Sequence, residues 1–220
     1  MPTAKKKHRS NPEWIRRHIT DPYVKEANKL GYRSRAAFKL IEIDDREHLL
    51  QPGAVVVDLG AAPGSWTQVV VERLKGRDRT LGGKIIALDM LPMEPVDGVS
   101  FIQGDFREDG VATQLAVALC GAKVDVILSD LAPNLSGIAP ADAARNAHLA
   151  ELVTDFALQH LASDGALVLK AFQGSGYSQI VEGLKRCFKS VVVRKPPASR
   201  AESAETYLVA RSLRKPGPKA

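Results

Sequence analysis

Short apolar runs alternate with stretches of helical spacing along most of the chain. Residues 33–48 place Ala37, Leu40 and Ile41 at helical spacing, and Gln51-Pro52-Gly53 ends that pattern. The β-branched run Ala54 to Leu59 then predicts a strand, and helical spacing resumes from about Ser65 to Lys75. Further apolar runs at Lys84–Leu88, Val99–Ile102, Val124–Ser129, Ala166–Leu169, Val191–Val193 and Thr206–Ala210 predict six more strands. Helical segments at about 111–120, 142–162 and 175–187 separate the later ones. Strands that read as short continuous apolar runs are covered on both faces. The alternation therefore predicts an α/β fold, a mostly parallel seven-stranded sheet with helices on both faces. Without an internal repeat or a long linker, one domain over residues 13–211 is expected, with a basic mobile arm at 1–12 and a basic tail at 212–220.

Composition narrows the class. A chain of 220 residues can bury its own core, and 45% hydrophobic with 25% charged residues is ordinary for a globular protein. No apolar run approaches the roughly 20 residues of a membrane span, and the basic start M-P-T-A-K-K-K-H-R-S leads into no apolar stretch. Cys120 and Cys187 form no C-x-x-C pair, which argues against zinc or redox chemistry. A cytoplasmic monomer is expected. The net charge of +6 hides a division. Residues 1–39 hold 11 Lys/Arg against 3 Asp/Glu and residues 185–220 hold 10 against 2, whereas residues 40–184 hold 10 against 20. Ends that converge would make a positive surface for phosphate backbones, with Lys5, Lys6, Lys7, Arg9, Arg16 and Arg17 as contacts; solvated tails are the alternative.

Ligands of parallel sheets bind beyond the carboxyl ends of the strands, so the residues just after each apolar run carry the candidate chemistry. The first run ends in D-L-G-A-A-P-G-S-W, Asp58 to Trp66, a glycine turn into a helix. It is neither G-x-x-x-x-G-K-[ST] nor G-x-G-x-x-G. The next runs end at Asp89, placed to accept both hydroxyls of a ribose, and at Asp105, Asp130 and Lys170. Singly, such residues are more often caps or surface charges, but four in succession form a pattern.

Together D-L-G-A-A-P-G-S-W, L-D-M-L-P-M-E-P (88–95), Q-G-D-F (103–106), S-D-L-A-P-N-L-S-G (129–137), K-A-F-Q-G (170–174) and R-K-P-P-A-S-R (194–200) resemble the FtsJ/RrmJ-type ribosomal RNA 2′-O-ribose methyltransferases, from about Trp14 to Ala210. The resemblance implies a Rossmann-like class I S-adenosylmethionine-dependent methyltransferase with an antiparallel last strand. It also implies a catalytic tetrad of Lys39, Asp130, Lys170 and Glu205. Cofactor contacts fall on Gly64, Trp66, Asp89, Asp105 and Asp130, and no metal is implied. Read without the family, Lys39 is a solvated helix lysine, Glu205 an edge charge and Asp130 a turn initiator, and Trp66 is core as readily as cofactor wall.

The chemistry implied is in-line transfer to a ribose 2′-oxygen with removal of its proton. A neutral Lys170 amine would take that proton, favoured by burial and by the charges of Lys39 and the sulfonium, and opposed by Asp130. The expected substrate is a uridine in the A loop of 23S ribosomal RNA, within the large ribosomal subunit or as free RNA. A transfer RNA anticodon loop is the second substrate. A nicotinamide oxidoreductase lacks its G-x-G here, and a non-catalytic RNA-binding protein would not need the complete tetrad.

Overall fold

The computed structural model describes residues 19–133 and 136–215, so the basic residues from Lys5 to Arg17 and the tail residues 216–220 lie outside the described residues. The V-V-V-D-L run forms strand β1 (Val55–Leu59), buried along nearly its whole length. The strands that follow are β2 (Lys84–Asp89), β3 (Val99–Gln103), β4 (Val124–Ser129), β5 (Leu161–Phe172), β6 (Phe188–Arg194) and β7 (Glu205–Leu213). They join one sheet in the order β3-β2-β1-β4-β5-β7-β6. The pairs β1–β2, β2–β3, β1–β4 and β4–β5 are parallel. β7 runs antiparallel to both β5 and β6.

Among the described residues six helices accompany these strands: α1 (Pro22–Leu30), α2 (Ala36–Glu47), α3 (Ser65–Leu74), α4 (Asp109–Leu119), α5 (Ala139–His160) and α6 (Tyr177–Cys187). Successive strand residues point to opposite faces, and two cores result. Val57, Leu59, Ile86, Leu88, Ile127, Leu167, Leu169, Leu208 and Ala210 pack beneath residues of α4, α5 and α6. Val56, Ile85, Val126, Leu128, Val168, Tyr207 and Val209 pack with Ala37, Leu40 and Ile43 of α2 and Val69, Val70 and Leu74 of α3.

Two elements depart from the apolar pattern. Helix α1 lies ahead of the first stretch of helical spacing at 33–48, and only Ala27 of it is buried. Its signals are punctuation: Asp21 accepts from the Tyr23 N–H, Pro22 opens the first turn, and Gly31 closes the helix at φ 79°. Strand β5 begins at Leu161 and not at Ala166, because Leu161 pairs with Val124 before the register shifts and Ala166 pairs with Val126. At the far end, β7 runs through Leu213 and the Arg214 N–H donates to Cys187 O at 2.8 Å, beyond the tail boundary at 212.

The descent from α2 into β1 hangs on one buried carboxylate. Asp44 Oδ1 accepts from the N–H groups of both Leu49 and Leu50 at 2.9 Å, and Arg73 lies 3.5 Å from its other oxygen. Asp44→Ala leaves those buried donors without a partner. The expected loss of stability is on the order of 1–3 kcal/mol for each donor left unsatisfied, read from the midpoint of urea unfolding.

Candidate active site

Four elements bring charged side chains to one edge of the sheet. Lys170 lies near the end of β5, Asp130 follows β4, and Lys39 projects from α2. Glu205 opens β7, and because β7 is antiparallel its first residue meets the last of β5, Phe172 opposite Glu205. The Lys170 amine lies 3.0 Å from Asp130 Oδ1 and donates to the Asp130 carbonyl at 2.6 Å. Across from it Lys39 Nζ lies 2.6 Å from Glu205 Oε1, which also accepts from the Ser199 hydroxyl at 3.0 Å. Burial works to raise the Glu205 carboxyl, but the Lys39 ammonium, Lys170 and the Ser199 hydroxyl outweigh it, and the group sits below its ordinary range.

Tyr207, fully buried, stands between the two pairs. Its hydroxyl donates to Asp130 Oδ1 at 2.9 Å, and Lys39 Nζ lies 5.8 Å from the centre of its ring. Burial first, then the charges of Asp130 and Glu205, hold its phenol well above the ordinary value, so it remains protonated and acts as a donor.

A cavity of about 610 Å³ opens on the other side of Asp130, a volume suited to a nucleoside-sized ligand. Gly60, Asp89, Asp105, Phe106, Asp130 and Leu131 line it. Gly60, at φ 81°, lets β1 turn against the segment after β4, since a Cβ there would come within 3.0 Å of the Leu131 backbone nitrogen. Asp89 is fixed by the turns beside it, Oδ2 accepting from Ala62 N at 2.9 Å and Oδ1 from Leu91 N at 2.8 Å. Each oxygen keeps a lone pair for a further donor. Asp105 takes a two-point hydrogen bond from Arg107, Nε to Oδ1 at 2.9 Å and Nη2 to Oδ2 at 2.5 Å, which with the Arg107 N–H holds it below the usual carboxylate range.

Behind the cavity Asp58 is wholly buried. Its Oδ2 accepts from the Thr67 hydroxyl at 2.7 Å, while Oδ1 and the Ser129 hydroxyl have no partner among the described residues. Burial pushes the Asp58 carboxyl up to about 7; Thr67 opposes this, and the charges of Asp130 and Asp89 add to it. Asp89, Asp105 and Asp130 give the cavity three carboxylates as hydrogen-bond acceptors, and the guanidinium groups of Arg107 and Arg145 belong to the same lining.

The structure thus joins Lys39, Asp130, Lys170 and Glu205 in one cluster, and Asp89, Asp105 and Asp130 around one cavity. Gly64 and Trp66 stand apart from the cavity lining, at the start of α3. Gly64 has φ 106°, and a Cβ there would lie 2.5 Å from Arg33 Nη1. The Trp66 side chain is packed into the core beneath α2 and α3. Its indole is 3% exposed, donates to Ala36 O at 2.8 Å, and packs 5.5 Å from the Tyr207 ring. What the position offers a ligand is the backbone of the first turn of α3, which no side chain caps. Sequence reasoning passed over Ser199, Tyr207, Arg107 and the burial of Asp58; the one sequence signal for Tyr207 is its place two residues after Glu205, on the same face of the strand.

Parallel strands with a polar residue past each carboxyl end, and a last strand inserted antiparallel beside β5, define a Rossmann-like class I methyltransferase fold. Within that class, the chain belongs to the FtsJ-like methyltransferase family, whose model matches residues 32–213. A ribosomal RNA large subunit methyltransferase E from Bordetella petrii is 59% identical over 211 residues, covering 96% of this chain and 99% of that protein. The protein of the same description from Ralstonia nicotianae is 56% identical over 219 residues, with 96% and 99% covered. Among solved structures, a chain described as a ribosomal RNA methyltransferase from Plasmodium falciparum superposes with a TM-score of 0.73 at 34% identity, covering 83% of this chain and 98% of that one.

Asp58 makes stability depend on pH. Its folded value near 7 lies above its ordinary 3.8, so its contribution is full below about pH 4 and is lost as pH rises through 7. Asp58→Asn, neutral at every pH, is expected to flatten that fall between pH 4 and 8, as thermal melts across the range would record.

Proposed function

We propose that this enzyme methylates the ribose 2′-oxygen of a uridine in the A loop of 23S ribosomal RNA, with S-adenosylmethionine as donor and Lys170 as proton acceptor. The observation that carries the reading is the Lys170–Asp130 pair, 3.0 Å apart, at the point where the acid-lined cavity meets the Lys39–Glu205 pair. The description of the Bordetella and Ralstonia relatives as ribosomal RNA large subunit methyltransferases supports the substrate. Charge supports it too, since Arg35 and Arg200 flank Lys39 and Glu205 in a smaller hollow of about 240 Å³, where phosphates would be attracted.

S-adenosylmethionine, when bound, supplies a methyl group already activated on a sulfonium. Asp89 would accept from its ribose hydroxyls, and Asp105, Asp130 and the uncapped first turn of α3 would hold the rest. The protein's part is then placement and one proton transfer. Lys170 takes the proton of the 2′-hydroxyl as the oxygen gains the methyl group, and Asp130 keeps the amine aimed. Lys39 and Glu205, locked to each other and to Ser199, form the opposite wall that positions the ribose. The unit that does this runs past 211 to the end of β7 at Leu213.

Two substitutions separate binding from chemistry. Asp89→Ala should weaken S-adenosylmethionine binding by about 1.5–3 kcal/mol for each charge-assisted hydrogen bond removed, measured by calorimetry. Lys170→Met, which keeps the apolar stem and removes the amine, should slow single-turnover methylation roughly 10²–10⁴-fold while both ligands still bind. Tritiated methyl transfer to large subunits, free 23S ribosomal RNA and bulk transfer RNA tests the substrate. Labelling of transfer RNA alone would overturn it.

A further inference from the structure

Tyr207 belongs to neither ion pair, yet it touches both. It lies directly opposite Lys170 in the antiparallel β5–β7 ladder, two residues after Glu205 on the same face. Its hydroxyl donates at 2.9 Å to Asp130 Oδ1, the same oxygen that lies 3.0 Å from the Lys170 amine. Its ring is held between the Trp66 indole, 5.5 Å away, and the Lys39 ammonium, at 5.8 Å. Trp66 is in turn tied to Ala36 O, on the helix that carries Lys39. A fully buried side chain wedged in this way keeps its phenol oxygen beside Asp130, with Glu205 as the other carboxylate close to it.

From this geometry we infer that Tyr207 is a positioning residue that sets how tightly Asp130 holds the Lys170 proton, by occupying the carboxylate oxygen the two share. The inference rests on the reading of Lys170 as proton acceptor. A carboxylate oxygen that already accepts a strong hydrogen bond has less charge to offer a second donor. The phenol stays protonated, so its donation is constant while Lys170 cycles between ammonium and amine. When the amine is neutral, Tyr207 leaves Asp130 satisfied, and the amine's lone pair is free to meet the 2′-hydroxyl. The other charged or titratable groups facing this arrangement are Lys39 on α2, Glu205 at the head of β7 and, behind Asp130, Asp58 on β1. None of these donates a hydrogen bond to Asp130 in the structure; only Tyr207 and Lys170 do so among the described residues.

Removing the hydroxyl has a definite sign. Asp130, with one donor fewer, pairs more strongly with the Lys170 ammonium, and a higher pH is needed before the amine can accept a proton. Tyr207→Phe keeps the ring against Trp66 and Lys39. It should lower the single-turnover rate at neutral pH about tenfold, move the half-maximal pH of the rate up by roughly one unit, and recover most of the rate at alkaline pH. S-adenosylmethionine affinity should change less than about twofold. Site-specific replacement of Tyr207 by 2,3-difluorotyrosine, a stronger donor of the same shape, should move the half-maximal pH the other way, and serves as the test should Tyr207→Phe not fold. A Tyr207→Phe rate reduced by one factor at every pH would mark the residue as structural only and overturn the inference. Lys170→Met distinguishes the two ideas. If it is inactive while the Tyr207 variants keep the parent profile, the role of Tyr207 alone fails. If it retains near-normal turnover, the proton-acceptor reading fails and takes this one with it.

Discussion

Lys170 faces Tyr207, and Phe172 faces Glu205, across the antiparallel pairing of β5 with β7. Reverse the direction of β7 and Glu205 would sit at the opposite end of the sheet, some eight residues and more than 20 Å from Lys170, at about 3.3 Å per residue. The antiparallel strand thus lets one edge collect side chains that a wholly parallel sheet would scatter. It also places Tyr207 and Glu205 on the α2 and α3 face, where Lys39 can reach them. Helix α2 in turn is fixed by Ala37, Leu40 and Ile43 in the core beneath it and by Asp44 at its end.

Four charged groups so close together are a burden unless each is paired. Taking an ion out of water costs several kcal/mol, and attraction to a partner repays this only when other hydrogen bonds satisfy the remaining atoms. Here they do. Glu205 Oε1 has Lys39 and Ser199, Asp130 Oδ1 has Lys170 and Tyr207, and the Lys170 amine also has a backbone carbonyl. Ser199 is held by a second layer of contacts, in which Ala198 N donates to Glu42 and Arg35 donates to Ala198 O. Arg35 also pairs with Asp21, the cap of α1, so that helix braces the wall of the site.

What could be read from the chain follows how local each feature is. Asp89, Asp105, Asp130 and Lys170 announce themselves because each ends an apolar run, and a parallel sheet sends such ends to one side. Lys39 and Glu205 carry no such signal. Their roles depend on the docking of α2 and on the direction of β7, both of which are long-range facts, and only the resemblance to a known family marked them. Tyr207 and Asp58 were hidden in another way, because in T-Y-L-V-A and V-V-V-D-L they sit inside strands and look like packing. Helix α1 was missed for the opposite reason, since a helix with one buried residue leaves no apolar stripe and shows only in its caps.

The cavity carries charges of both signs, with Arg107 and Arg145 in the lining beside Asp89, Asp105 and Asp130. Burial carries the Asp58 carboxyl up to about 7, with the charges of Asp130 and Asp89 adding to it, and Asp58 Oδ1 and Ser129 Oγ have no partner among the described residues. A buried carboxyl perturbed in this way beside a cleft is a mark of sites built for a ligand. A cation brought there would lower the cost of ionising Asp58, so binding and proton release would be linked by the same charges. In the tetrad next to it both lysines are matched to carboxylates and the phenol is matched to Asp130. In the cavity Asp105 is matched by Arg107, Asp89 is held by backbone N–H groups, and Asp130, matched by Lys170, belongs to both regions. The carboxylate that lines the cavity on one side steers the Lys170 amine on the other, which is how a charge arriving in the cavity would be felt at the lysine a few ångströms away.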